Sequence, residues 1–421
     1  MPREMVTIQV GQCGNQIGCR FWELAMREHL AEGGTGAGER YDEAMSSFFA
    51  NEPPESDDAY ARWRKDEVGS LRARAVLVDM EEGVVNRLQR MPSIGPLFDN
   101  RLCLTDVSGS GNNWAHGYMD YGRQYSHDIL DRVRQSVEAC SSPQSFVMLH
   151  SLGGGTGSGF GSFILESLET HFPELCRLAV SVFPSEDDDV VTSPYNAVLA
   201  ADKLVEHADC VFPIDNQQLI AMCDHIDETK RKAQRPGAGG LGRGRARPSA
   251  SRTRAAGAND GGGGEEGGDR HHRMNGIAAK ALLDLTASVR FEGTLNMDLG
   301  ELPMNAVPYP KLHFLGLGVS PLVPPPGRDR WGGGGARQAG SRALSDMDKC
   351  FTDAHTSPVH QLMRPTPAGA RPRPVHLASA LLTRGEAIRV SDVERNVRRL
   401  AKMQDSVYWV ADSPFKVGLC R

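Results

Sequence analysis

Ser151-Leu152-Gly153-Gly154-Gly155-Thr156-Gly157-Ser158-Gly159 is the stretch of sequence that decides the fold. The apolar residues 146–149 precede it and are typical of a buried strand in a parallel sheet. Behind it, an i, i+3, i+4, i+8 spacing of apolar side chains predicts an amphipathic helix with Phe160, Phe163, Ile164 and Leu168 on one face. The glycines therefore lie where a strand ends and a helix begins.

A strand-to-helix junction of this kind favours an anion. The first amide hydrogens of a helix have no partner within the helix, and the helix dipole is positive at that end. Glycine lets the backbone approach a phosphate closely, and Ser151, Thr156 and Ser158 add hydroxyl donors. The alternative is a loop that merely turns the chain. Five glycines around one threonine at such a junction favour the phosphate site.

Two common nucleotide loops do not match this stretch. No glycine in the chain is followed by lysine, which excludes a Walker A loop with its phosphate-binding lysine. The dinucleotide spacing G-x-G-x-x-G is not met in residues 151–159 either. The loop is therefore of a different kind.

Further strand-loop-helix junctions follow the same pattern. Residues 11–16 come directly after an apolar strand, and residues 109–113 combine small side chains with asparagine before a helix, which suits a phosphate contact. Asp79 and Glu81 follow the apolar residues 73–78. Carboxylates at the end of a parallel strand can hold Mg²⁺ through water beside a triphosphate, although Glu81 could instead stabilise the positive end of the next helix.

Composition limits the class of protein. The 421 residues allow two or three domains, and the net charge of −6 argues against nucleic acid as the main partner. Nine cysteines without a C-x-x-C pair predict reduced thiols of a cytosolic protein, not a disulfide framework or a zinc site. Neither a signal peptide nor an apolar run of membrane-spanning length is apparent, so no membrane association is expected.

The alternation of strands and helices predicts an α/β fold with a doubly wound parallel sheet. Ligands of such folds bind at the carboxyl ends of the strands. We expect a nucleotide-binding domain over residues 1–229 and a disordered Gly/Arg/Pro-rich insertion over 230–273. Residues 274–421 then form a central helix and a smaller mixed α/β domain, with a flexible insert near 324–343.

Four motifs resemble the tubulin family: Gly-Gly-Gly-Thr-Gly-Ser-Gly at 153–159, Gly-Gln-Cys-Gly-Asn-Gln-Ile-Gly at 11–18, Gly-Asn-Asn-Trp-Ala at 111–115, and Arg-Phe-x-Gly-x-Leu-Asn-x-Asp-Leu at 290–299. Residues 46–49 and 71–86 are most similar to its epsilon branch. The resemblance implies a GTPase domain that binds GTP or GDP with Mg²⁺. It also implies that the family's C-terminal helical domain is missing here.

The resemblance also implies site residues. The expected GTP contacts are Gly11, Gln12, Cys13, Gln16, Ser110, Gly111, Asn112, Ser151, Gly154, Gly155, Thr156, Gly157, Asp189, Asn216 and Asn275. Asp189 corresponds to a ribose contact, and Asn216 and Asn275 to contacts with guanine. Ser193 stands where the family usually has a glutamate, and His271 where it has a base-stacking aromatic residue. Mg²⁺ is expected at Glu81 and Asp79, through water.

Glu301 occupies the place of a water-activating glutamate in alpha-type tubulins, which acts on the GTP of a neighbouring subunit. A carboxylate there could polarise an attacking water, whereas in an unrelated chain Glu301 would be a surface residue near a helix start. The resemblance implies other tubulin subunits and centriolar microtubules as partners, and a place at the centriole or basal body. The alternatives are a non-polymerising GTP-binding regulator or degenerate copy, and a metabolic enzyme of the doubly wound class.

Overall fold

A six-stranded parallel sheet forms the centre of the protein, shown here by a computed structural model. The strand order is β5-β4-β1-β6-β7-β8. These strands are β1 Glu4–Val10, β4 Ala75–Asp79, β5 Cys103–Thr105, β6 Pro143–Ser151, β7 Cys176–Phe183 and β8 Cys210–Asp215. The structure describes residues 3–32, 41–53, 68–185, 188, 190–234, 263–291, 293–323, 341–363, 377–385, 388–403 and 415–420.

The winding direction of the sheet reverses between β1 and β6. From β1 the chain proceeds outward through β4 to β5, and from β6 it proceeds the other way to β8. β1 pairs with β4 on one side and with β6 on the other, for example through Ile8 with Val76 and Met148. The predicted doubly wound α/β fold is therefore confirmed, and the loops after β1 and β6 leave the sheet beside each other.

Helices cover both faces of this sheet and also form part of a smaller region beside it. They are α1 Gly11–Glu32, α2 Glu43–Ser46, α3 Glu82–Gln89, α4 Gly122–Gln124, α5 Ser126–Glu138, α6 Gly161–His171, α7 Ser193–His207, α8 Asn216–Gln234, α9 Gly263–Leu285, α10 Ala287–Arg290, α11 Glu301–Ala306, α12 Ser341–Thr356 and α13 Val390–Met403. Two π-helical turns, His116–Tyr121 and Thr156–Phe160, precede α4 and α6. No helix in the described part of the chain is long and apolar enough to span a membrane.

Alternate residues of each central strand enter opposite hydrophobic cores. Met5 belongs to the core shared with α1 and α9, whereas Val6 and Ile8 belong to the core shared with α5 and α6. Both faces of the sheet are thus apolar, which explains the continuous hydrophobic runs of the strands.

The N-terminal segment is more ordered than the sequence suggests. Glycine, charged residues and proline dominate residues 32–68, a composition that predicts a surface loop, yet α2 and the strand β2 Phe49–Glu52 lie within them. β2 pairs in antiparallel fashion with β3 Ser70–Ala73, and Trp22 packs edge-to-face against Phe49. This tertiary burial of aromatic side chains stabilises a segment whose local composition favours a loop.

Helices also extend past the predicted boundaries of the insertion. Residues 230–234 complete α8 and residues 263–273 begin α9, so the predicted disorder over 230–273 is wrong at both ends. The physical reason is helix pairing, since Arg273 on α9 forms an ion pair with Asp227 on α8 at 2.8 Å. Residues 235–262, and residues 324–340 of the second predicted insert, lie outside the described residues.

A smaller region packs beside the sheet. Strands β9 Ala380–Arg384 and β10 Lys416–Cys420 form a parallel pair. The family resemblance predicts an interior strand over residues 308–319, but the described structure has only isolated bridges there, such as that between Phe314 and Val211. This segment runs along the edge of β8, where the amides of Val211 and Leu315 join the two segments by hydrogen bonds of 2.9 and 2.8 Å. A partly buried ion cluster also connects the two regions: Glu28 on α1 lies 2.8 Å from both Arg290 and Arg384.

Candidate nucleotide site

Four loops meet at the carboxyl edge of the sheet. They follow β1, β4, β5 and β6, and contain residues 11–16, 79–82, 109–113 and 151–157. The first of them, called the loop after β1 here, is already the first turns of α1. Because the winding of the sheet reverses between β1 and β6, the helices behind these two loops pack on opposite faces and leave a crevice.

The loop after β1 touches the loop after β6. Gly11 has a φ of +72°, and a Cβ atom built there would lie 3.2 Å from the amide nitrogen of Gly157. The buried side chain of Asn15 fixes this turn, because its amide donates to the carbonyls of Gly11 and Val78, both at 3.0 Å. Only glycine combines this backbone conformation with such close approach.

The loops after β5 and β6 are joined by their side chains. The hydroxyls of Ser110 and Thr156 lie 2.9 Å apart. A Cβ atom on Gly155 would lie 2.5 Å from the Ser110 hydroxyl, and one on Gly117 would lie 2.4 Å from the Gly155 carbonyl. The two π-helical turns therefore pack against each other through glycine, which places both hydroxyls in one cluster.

This cluster contains open space of the kind a phosphate needs. Gly111 and Asn112 have φ values of +55° and +53°, which turns successive amide groups into a concave surface. No atom comes within 4 Å of a Cβ built on Gly111, and the nearest atoms to one on Gly154 are Asn112 Oδ1 and Ser151 Oγ, at 3.8 and 4.0 Å. We call this open space beside Gly111 and Gly154 the cradle.

Asn196 holds two of the loops together, although sequence reasoning gave it no role. Its amide nitrogen donates to the carbonyls of Asn112 and Gly153, both at 2.8 Å, and its oxygen accepts from the Trp114 amide at 3.0 Å. Its one signal in the sequence is the short stretch Pro194-Tyr195-Asn196, which also resembles the tubulin family.

His150 is a second residue that sequence reasoning missed. It is buried beneath the β6 loop, with Nδ1 lying 2.9 Å from the Gly157 carbonyl and Nε2 lying 2.8 Å from the Ser181 hydroxyl. A carbonyl only accepts, so Nδ1 carries the proton and Nε2 accepts from the hydroxyl. Burial lowers the pKa of His150 to about 4, which keeps the ring neutral.

Ser193 takes part in the loop network in place of the glutamate usual in the family. The buried Ser193 hydroxyl donates to Asp188 Oδ2 at 2.7 Å and lies 3.4 Å from the Gly153 carbonyl. Asp189, the predicted ribose contact, lies outside the described residues. A short hydroxyl at position 193 thus positions an acidic side chain beside the β6 loop.

Asp79 and Glu81 lie next to the cradle. Asp79 is buried, and its Oδ2 has no hydrogen-bond partner among the described residues. Burial raises the pKa of Asp79 to about 7. Glu81 is exposed and packs against Gly109, where an added Cβ would lie 2.7 Å from its Oε1. No cluster of three or more metal-binding side chains occurs in the described part of the chain.

The remaining predicted contacts come from the starts of α1 and α8 and from α9. Gln12 is exposed, Cys13 and Gln16 are half-buried, and burial raises the pKa of the Cys13 thiol to about 12. Asn216 is the first residue of α8, and Asn275 is half-buried on α9. The ion pair between Arg273 and Asp227 holds these two helices side by side. His271, at the position of the stacking aromatic, is exposed.

Glu301 belongs to a different cluster of charges. It is the first residue of α11, and its Oε2 lies 2.5 Å from Lys416 Nζ on β10. Its hydrogen bond to Lys416 lowers the pKa of Glu301. Beside it, Asp298 forms an ion pair with Arg3 at 2.5 Å. The sequence gave no indication that a lysine more than a hundred residues away pairs with this carboxylate.

Comparison with known proteins agrees with this geometry. Residues 4–224 match the Tubulin/FtsZ family, GTPase domain. The chain is 42% identical to the mouse tubulin epsilon chain and 43% identical to the human one, over 99% of this chain and 81% of either relative. It is 31% identical to yeast tubulin alpha-1, over 99% of this chain and 80% of that relative.

The parallel sheet, with the glycine-containing loops after β1, β5 and β6, defines a GTPase domain of the tubulin/FtsZ type. The chain belongs to the tubulin family, and its epsilon-type motifs agree with the identities to the two epsilon chains. The predicted resemblance is thereby confirmed. A metabolic enzyme of the doubly wound class has no support in these matches.

Proposed function

We propose that this chain is an epsilon-type tubulin subunit that binds GTP or GDP in the cradle between the loops after β1, β5 and β6. The observation that carries this proposal is the 2.9 Å contact between the Ser110 and Thr156 hydroxyls beside the open space at Gly111 and Gly154. Hydroxyl and amide donors from both sides of the sheet's reversal point converge there, as recognition of a polyphosphate requires.

Individual residues have distinct roles in this proposal. Gly155, Thr156 and Gly157 bind phosphate oxygens together with Ser110, Gly111 and Asn112. Gln12 and Gln16 contribute from α1, and Ser151 and Gly154 from the other side of the cradle. Asp189 binds the ribose, whereas Asn216 and Asn275 read the guanine edge, because an amide offers both a donor and an acceptor.

Mg²⁺ binds beside the phosphates in this proposal. Asp79 offers a buried oxygen without a partner in the described structure, and Glu81 adds a second carboxylate at the surface. Mg²⁺ usually keeps several waters and uses one or two carboxylates together with substrate phosphates. The ion would neutralise phosphate charge, and it would also offset the cost of ionising the buried Asp79.

Hydrolysis is proposed to require a neighbouring subunit. Exposed apolar side chains lie at two separate places on the protein. The first place is α7 and the residues just before it, close to Asn196 and the cradle, where the exposed fractions are 87% for Val191, 73% for Tyr195 and 70% for Val198. The second place lies beside Glu301, where the exposed fractions are 84% for Met304, 66% for Tyr309 and 53% for Leu312. Two different apolar surfaces suit a head-to-tail contact, in which the Glu301 surface of one subunit covers the cradle of the next.

The proposed partners are other tubulin subunits, and the proposed location is the centriole or basal body, on centriolar microtubules. The higher identity to the two epsilon chains than to yeast alpha-1 supports the epsilon type. A tagged copy should concentrate at centrioles in dividing cells. Uniform decoration of the whole microtubule array would contradict the proposed location.

Equilibrium binding tests the central proposal. Labelled GTP with Mg²⁺ should bind to the purified chain and be displaced by GDP, with ATP competing much less effectively. Substituting Asn216→Leu should remove the preference for guanine while leaving phosphate contacts in place. Equal affinity of the parent chain for GTP and ATP would reject the assignment of the base contacts.

One observation favours a second candidate, a GTP-binding subunit that does not polymerise. The carboxylate of Glu301 is engaged by Lys416 within the same chain, and this ion pair competes with any role toward a neighbour. Such a protein would bind GTP and remain a monomer at all concentrations. Sedimentation of the GTP-bound chain over a concentration series distinguishes the two functions.

A further inference from the structure

A groove lies along the carboxyl end of α3, away from the apolar surfaces described above. Two adjoining depressions form it, with volumes of about 570 and 540 Å³, and both are bordered by Asn86, Arg90, Met91 and Pro92. Arg72 borders the first depression and Arg87 the second. Three guanidinium groups from two separate elements, β3 and the end of α3, therefore lie along one groove.

Arg87 and Arg90 carry charge that the described residues do not neutralise, whereas Arg72 is paired. Arg72 pairs with Glu52 at 3.2 Å and donates to the Pro96 carbonyl at 2.6 Å. Arg87 and Arg90 are exposed, and neither forms an ion pair or side-chain hydrogen bond with any described residue. The helix dipole favours a cation near the C-terminus of a helix, and this accounts for one exposed arginine at the end of α3. It does not account for the groove that lies between the arginines.

The floor and walls of the groove restrict the class of ligand. Met91, Pro92 and Pro96 provide apolar surface between the guanidinium groups, and Asn86 provides an amide. A guanidinium fork matches a carboxylate in a bidentate arrangement. Two depressions of this size are too wide for a single small anion, whereas an extended peptide can place carboxylates and aliphatic side chains in turn along them.

We propose that this groove binds an acidic peptide segment of a partner protein, with Arg87 and Arg90 pairing with its carboxylates and Met91 and Pro96 contacting its aliphatic side chains. The chain as a whole carries a net charge of −6, so the groove is a local exception to an acidic protein. Its few cations make nucleic acid a poorer fit, since binding to a phosphate backbone depends on many lysine and arginine contacts.

The probe for this proposal is a fluorescein-labelled Glu-Leu-Glu-Leu-Glu-Leu peptide, followed by fluorescence anisotropy with the full chain at low salt. Arg87→Ala and Arg90→Ala should each raise the dissociation constant about threefold, and the double variant about tenfold. Arg398→Ala, which removes an exposed helical arginine from α13, is the matched control and should leave binding unchanged. Added salt should weaken binding by the parent chain but not the residual binding of the double variant.

Several outcomes would overturn the proposal. The first is that the parent chain and the double variant bind the acidic peptide equally well. The second is that the parent chain binds a Lys-Leu-Lys-Leu-Lys-Leu peptide as tightly as the acidic one. The third is that it binds a single-stranded oligonucleotide more tightly than the acidic peptide, and that Arg87→Ala and Arg90→Ala abolish this binding. Arg87→Lys and Arg90→Lys keep the charge but lose the fork, so partial loss in these variants supports bidentate pairing. Thermal unfolding followed by circular dichroism checks that each variant is folded.

Discussion

The hydroxyls of Ser110 and Thr156 lie 2.9 Å apart and join two loops that follow different strands of the sheet. One hydroxyl comes from the loop after β5 and the other from the loop after β6. Either oxygen can donate, so one hydroxyl can donate its hydrogen bond to a bound phosphate while it accepts the hydrogen bond of the other hydroxyl. The relationship makes the two loops a single binding unit.

Removing the Thr156 hydroxyl should weaken GTP binding. Thr156→Val keeps the shape of the side chain but deletes a hydrogen bond to a charged phosphate, which costs on the order of 1.5–3 kcal/mol. Thr170→Val is the matched control, because Thr170 lies at an exposed position of α6, where its hydroxyl donates to the Glu166 carbonyl. Calorimetric titration with GTP should show a loss of about tenfold or more for Thr156→Val alone. Equal affinities in the two variants would contradict the assignment.

Adding one methyl group at Gly155 should damage the cradle. A Cβ atom there would lie 2.5 Å from the Ser110 hydroxyl and 2.6 Å from the Asn113 amide, so the loops must separate. We expect Gly155→Ala to lose most GTP affinity. Gly83→Ala is the control, since nothing lies within 4 Å of its added Cβ and helix α3 gains the propensity of alanine. If Gly155→Ala bound GTP like the parent, the close packing of the two loops would be wrong.

His150 should make stability depend on pH. Its folded-state pKa of about 4 lies below the ordinary value of 6.5. As the pH falls, His150 is therefore protonated at a higher pH in the unfolded chain than in the folded one. The stability that neutral His150 contributes is present above pH 6.5 and is lost as the pH falls toward 4, on the order of 3 kcal/mol. His150→Gln should flatten this part of the profile, measured by urea unfolding at several pH values. An unchanged slope would show that His150 titrates normally.

Glu28 should be far more important for stability than its neighbour Glu23 on the same helix. Glu28 lies 2.8 Å from Arg290, which is fully buried, and from Arg384. Glu28→Gln removes the carboxylate that both guanidinium groups contact at 2.8 Å and should cost about 3–5 kcal/mol. Glu23→Gln breaks more accessible pairs with Arg20 and Arg27 and should cost less than about 1 kcal/mol. Chemical denaturation of the two variants gives the comparison, and similar losses would refute the inference.

GTP turnover should depend on contact between subunits. In the proposed mechanism Glu301 orients a water on a neighbour's nucleotide, so specific activity should rise with protein concentration. Glu301→Gln should abolish this rise without changing GTP affinity, whereas Glu394→Gln, which removes an ion-paired glutamate from α13, should keep it. Phosphate release measured over a dilution series tests this. Full activity in the dilute monomer would rule out a shared site.

The sequence by itself determined the local features of this protein. Apolar runs followed by glycine-rich loops specify parallel strands and phosphate-binding turns, because the pattern of a few neighbouring residues is enough to define each junction. The family, the α/β class and the candidate loops around Gly11, Gly111 and Thr156 follow from such patterns. The helices that continue into residues 230–234 and 263–273 did not, since pairing between α8 and α9 stabilises them against their local composition.

Only the tertiary structure decided which distant residues meet. Arg384 reaches Glu28 across 356 positions of sequence, Asn196 reaches Asn112 across 84, and Lys416 finds Glu301 on another element. His150 gains its role from Ser181 on the neighbouring strand. Such contacts depend on sheet order and helix packing, and the charges and amides involved are individually ordinary in sequence. A short stretch of sequence can specify its own conformation, but it does not specify which distant residue will contact it once the chain has folded.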